Sequence, residues 1–150
     1  MTDTAFAIAR RGALSLTGLS MLLMLCGCSQ RAEQKADNAQ VAAAGPNFDR
    51  DIQPIFDANC VACHQSEGAS GKLNLESGAA YGAVVSVRSG ESPLLYVMPG
   101  RADQSYLIRK VEGTHVEAGG SGERMPLTGP LDARSIATLR DWVRAGAPRD

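Results

Sequence analysis

The sequence predicts an all-α domain of short helices joined by Gly-rich loops, and three observations lead there. Residues 132–145 carry Ile136, Leu139, Trp142 and Val143 as an apolar stripe at helical spacing, with Asp132 as N-cap and Gly146 and Pro148 as the stop. Residues 51–63 repeat the pattern, with Asp51 as the expected N-cap, Pro54 in the tolerant first turn, and Ile52, Ile55, Phe56 and Cys60 on one face. Around Cys60 and Cys63 no strand–helix–strand alternation is visible. The chain has 150 residues, which suits one domain, and its two halves show no internal repeat. Aromatic residues make up only 5%, so a core built from side chains alone is modest.

The elements follow in order. Residues 1–27 read as a secretory signal peptide, with Arg10 and Arg11 as the positive region and a Leu- and Met-rich stretch from Ala13 to Cys26. That stretch is shorter than the roughly 18 apolar residues of a spanning helix. Arg10-Arg11 matches the twin-arginine signal only weakly, since Gly12-Ala13 follows. Leu25-Cys26-Gly27-Cys28 resembles a bacterial lipobox, which implies cleavage after Gly27 and acylation of Cys28. Several acyl chains, each buried CH₂ adding about 0.8 kcal/mol, make a firm attachment to a lipid membrane. Ser29 rather than Asp after the lipid Cys favours the outer membrane within that pattern, so the expected location is the periplasmic side of the envelope. Residues 28–46 are polar and Ala-rich and read as a flexible tether. The folded domain is expected over 47–150, with helices at 51–63, 77–84 capped by Ser77, 103–111 from Asp103, and 132–145.

Cysteine usage is the most informative feature. Of four cysteines, Cys26 leaves with the signal and Cys28 takes the lipid, leaving Cys60 and Cys63 with His64 directly after. Cys60-Val61-Ala62-Cys63-His64 is a C-x-x-C-H haem-attachment pattern. Two thiols three positions apart on a helix lie on one face and can add to the two vinyl groups of one porphyrin edge. His64 can then bring its imidazole under the iron as proximal ligand. A thioredoxin-like redox pair lacks its βαβ context and leaves the adjacent His unexplained, and a zinc site lacks a second Cys pair; a disulfide within the motif is a further alternative in an oxidising compartment. The expectation is one covalent haem c.

For the sixth ligand, Met1, Met21 and Met24 leave with the signal, so Met98 and Met125 remain. A thioether opposite His gives the Met/His pair that raises the haem potential and suits electron transfer. Met125 is preferred, because it sits in the Gly-rich loop 120–126 before the last helix. Met98 is the second choice, read as an apolar residue among Leu94, Leu95 and Val97. His115 is a third candidate, read instead as a solvated loop histidine.

From Phe48 to Pro148 the chain resembles a small bacterial cytochrome c domain of the type found in planctomycete proteins. The resemblance rests on Asp51-Ile52-Gln53-Pro54-Ile55-Phe56 leading into Cys60–His64, and on Gly71-Lys72-Leu73-Asn74-Leu75. It continues through Pro99-Gly100 with Ser105-Tyr106-Leu107, Met125-Pro126 with Gly129-Pro130-Leu131, and Ile136 through Pro148. It implies a cytochrome c-like fold, short helices around one covalently attached haem, and places Met125 at the family's axial Met position. Better-known class I cytochromes put a proline soon after the haem His, whose carbonyl accepts the His N–H. Here the first proline after His64 is Pro93, so the sequence names no such acceptor.

The expected function is a membrane-tethered mono-haem c-type cytochrome passing single electrons, not an enzyme. The alternative is a haem-based ligand-binding or sensor module with an exchangeable sixth ligand. A docking domain beside a partner protein is a third class. No Ser/His/Asp arrangement, phosphate loop or carboxylate pair points to catalysis, and no small-molecule substrate is evident. A net charge of −1 gives no footprint for nucleic acid and names no charged docking face for a redox partner.

Overall fold

The computed structural model describes residues 45–150. The signal segment 1–27, the lipobox with Cys28, and the tether up to residue 44 lie outside the described residues. Four α-helices are present among them: α1 (Gln53–Asn59), α2 (Ala80–Val84), α3 (Tyr106–Glu112) and α4 (Ala133–Arg144). A π-helical turn, Phe48–Ile52, runs straight into α1, and 3-10 turns occupy Ser70–Lys72, Ala102–Gln104 and Val116–Ala118. No strand is formed among the described residues; two isolated bridges pair Val85 with Val97 and Arg88 with Leu95. None of the described helices is long and apolar enough to cross a membrane.

Helix α4 follows its sequence signals. Asp132 caps it by accepting the Ser135 amide at 2.9 Å, and the chain leaves through Gly146 at φ +98°. Its buried stripe is Leu139, Trp142 and Val143. Trp142 meets the Phe48 ring at 5.5 Å and donates its indole N–H to Pro148 O at 2.8 Å. The Phe48 amide also donates to Pro148 O, at 3.2 Å, so the chain end is fastened across the start of the domain. Phe48 touches Phe56 and Tyr81 edge-on, at 5.9 and 5.2 Å. Ile52, Val84, Val97, Ile108 and Leu139 complete a single core.

The first three helices start or end elsewhere than the sequence suggests. The first begins at Gln53, behind the π-helical turn, at whose start Asn47 rather than Asp51 accepts the Arg50 amide. It ends earlier, at Asn59, where Cys60 and Val61 both donate to Phe56 O and Cys60 turns to φ −128°. Helix α2 starts at Ala80 without a side-chain cap, so Ser77 does not perform that role. Helix α3 starts at Tyr106, after the 3-10 turn that contains Asp103, and closes on Gly113 at φ +81°.

Candidate haem site

The turn after α1 brings Cys60, Cys63 and His64 together. Cys60 O accepts from Cys63 N at 3.1 Å and His64 N at 3.0 Å. The thiols therefore sit on a turn rather than on a helix face, as the early helix end requires. Both are free; Cys60 is half-buried and Cys63 exposed. Burial pushes the Cys60 thiol up to about 11. Among the described residues no three His, Cys, Asp or Glu side chains gather as metal ligands, so the pair has no zinc-site companions.

The segment that follows folds back on this turn. Ser70 donates its amide to Cys63 O at 3.0 Å and offers its own carbonyl to His64 Nδ1 at 2.9 Å. A carbonyl oxygen carries no proton, so Nδ1–H is the donor and Nε2 keeps a free lone pair. This is the ring-orienting acceptor that the sequence does not name, supplied by the main chain at Ser70 instead of a proline. The turn can pass here because Gly71 adopts φ +61°. Leu75 N donates to His64 O at 2.8 Å, and Gln53 Nε2 donates to Leu75 O at 3.0 Å. Gln53 is buried, with Oε1 unpartnered and Nε2 also reaching Asp57. It thus ties α1 to the strip that holds the histidine. Ser70 and Gln53 escaped the sequence reading; a glutamine on the otherwise apolar face of Ile52 and Phe56 was the available signal.

This geometry fits a covalent c-type haem. Two unpaired thiols flank a turn, and the histidine beside them is fixed with Nε2 uncommitted. Cys60, Cys63 and His64 are the residues that would hold it.

Met125 is half-buried and ends the loop after the Val116–Ala118 turn; its amide donates to Lys110 O at 3.1 Å. Met98 follows the Val85–Val97 bridge, with its amide on Ser105 Oγ at 2.9 Å. It is 37% exposed, whereas Val97 beside it is fully buried: Val97 turns inward and Met98 outward. The expectation for His115 is corrected: the residue is 3% exposed rather than solvated, because it packs edge-on against Tyr106 and its Nε2 bonds Gly122 O at 2.8 Å. Tyr106 OH donates to Glu91 at 3.0 Å, and burial together with that carboxylate pushes the phenol up to about 12.

Residues 60–126 match the family model described as planctomycete cytochrome C. The hydrazine synthase subunit alpha of Kuenenia stuttgartiensis is 30% identical over 124 residues, covering 69% of this chain. The chain spans 15% of that relative's length. The solved Kuenenia stuttgartiensis hydrazine synthase is 25% identical, covering 67% of this chain and 16% of that chain, with a TM-score of 0.47. Over residues 60–126, from the first thiol of the attachment turn to the proline after Met125, the chain is similar to the planctomycete cytochrome c family.

Proposed function

We propose that the domain is a mono-haem c-type cytochrome that passes single electrons without binding a substrate, and that Cys28 tethers it by lipid to the periplasmic side of the outer membrane. The observation that carries the reading is the fixed His64 ring, with Nδ1–H given to Ser70 O and Nε2 left for iron. Haem, when bound, supplies a one-electron couple whose potential depends on its axial ligands.

This chain's own residues do the rest. Cys60 and Cys63 would hold the group covalently, so it would stay with the protein. Ser70 O holds the His64 tautomer and ring plane, and Gln53 and Leu75 brace the main chain behind it. Met125 is the residue we assign to the opposite side, where a thioether raises the potential. A filled sixth position separates a carrier from a ligand-binding module. The chain covers so small a part of its hydrazine synthase relative that the relative's named activity is not carried over.

The test is the visible spectrum of the matured protein. Wild type should show the charge-transfer band of Met-ligated ferric haem and should not bind carbon monoxide when reduced. Met125→Ala should keep covalent haem, lose the band, lower the potential and admit carbon monoxide, whereas Met98→Ala should resemble wild type. A wild type that lacks the band and binds carbon monoxide readily makes the ligand-binding reading the better one. The tether is tested separately: Cys28→Ala should move the protein from the membrane to the soluble fraction or leave it unprocessed, and unchanged fractionation would refute the anchor.

A further inference from the structure

A polar cluster that the attachment turn does not use holds the loop bearing Met125. Lys110 Nζ donates to Ser121 O at 2.6 Å and to Glu91 at 3.1 Å, and Lys110 O accepts the Met125 amide. His115 O accepts the Gly120 amide at 2.9 Å, and His115 Nε2 meets Gly122 O at 2.8 Å. Tyr106 lies so close beneath the loop that a Cβ at Gly120 would stand 2.6 Å from its ring and hydroxyl. Residues 120, 121, 122 and 125 are thus each tied to Tyr106, Lys110 or His115.

We infer that His115 is a positioning residue for Met125, seating the methionine loop through its hydrogen bond to Gly122; this rests on the assignment of Met125 as the axial ligand. Gly122 O can only accept, so Nε2–H donates. Nδ1 is buried without a partner. A buried nitrogen left unsatisfied is costly, so the ring's place here is better explained by the one bond it makes than by general packing. Lys110 makes a second, parallel tie one residue earlier, and Glu91 holds both Lys110 and Tyr106 in place. With these ties the loop has one seated position. Without one of them, the balance between bound and released methionine shifts by about the worth of a hydrogen bond, on the order of fivefold.

The experiment uses the full matured chain, with circular dichroism to establish folding. It reads the Met charge-transfer band in the ferric state and carbon monoxide affinity in the ferrous state. His115→Leu, which cannot donate, should weaken the band and raise carbon monoxide affinity about fivefold. His115→Gln, whose amide can still donate to Gly122 O, should recover most of the wild-type behaviour. Lys110→Met should move in the same direction as His115→Leu, and it decides the matter if His115→Leu does not fold. If Met125→Ala itself keeps the band, the axial assignment fails. If Met125→Ala loses the band while folded His115→Leu and Lys110→Met match wild type in band and affinity, the positioning role is overturned.

Discussion

The turn that carries His64 and the loop that carries Met125 are built in opposite ways. On the His64 side the functional residues are consecutive, and their ties are short in sequence: Cys60 O to His64 N, Ser70 N to Cys63 O, and Ser70 O to the His64 ring. Met125, the proposed ligand, stands alone in sequence, and its loop is held by Lys110 of α3 and by His115 beyond it, with Glu91 far upstream bracing Lys110. The first side draws rigidity from an apolar core, where Phe48, Phe56 and Trp142 pack behind α1. The second draws it from polar groups that each need a partner. Packing resists small changes broadly, whereas a polar network loses seating one bond at a time.

The comparison can be broken from either side, and the largest effect should come from the core. Trp142→Ala removes the ring that braces Phe48 and the N–H that holds Pro148 O. It should cost about 3–5 kcal/mol of stability in chemical denaturation. A loss under about 1 kcal/mol would show that the domain does not lean on this packing.

The smaller effect belongs to Glu91. Its hydrogen bond from Lys110 holds its carboxyl below the ordinary value of 4.5 in the folded state. A lowered folded value means that the contribution is present above pH 4.5 and is lost as pH falls through the folded value. Glu91→Gln should therefore flatten the acid side of the stability profile and leave its shape at neutral pH unchanged. Because the Glu91 side chain is 44% exposed, the effect should stay below about 1 kcal/mol. An acid limb identical to wild type would remove Glu91 from the network.

The same contrast explains what was legible in the sequence. Helix α4 was readable because cap, stripe and stop are local signals, and Trp142 against Phe48 follows from its apolar face. That Cys60, Cys63 and His64 share one turn follows from their adjacency in sequence. The helix end at Asn59 was not readable, since nothing in the pattern of Ile52, Ile55, Phe56 and Cys60 marks where the turn tightens. Ser70 was missed because it contributes a carbonyl, which every residue has. His115 looked solvated because Gly113 and Thr114 precede it and glycines follow, yet its burial comes from Tyr106 and from the loop folding over it. Which side of a short extended segment faces inward depends on its bridge partner, so Met98 and Val97 were not separable by hydropathy.

The central claim is that Cys60 and Cys63 carry one haem beside a pre-oriented His64. The most direct measurement is the mass of the denatured protein, purified from a host with c-type cytochrome maturation, followed by thiol titration. The account predicts a chain heavier by one haem, with neither Cys60 nor Cys63 open to alkylation. A chain of unmodified mass with both thiols free would contradict it.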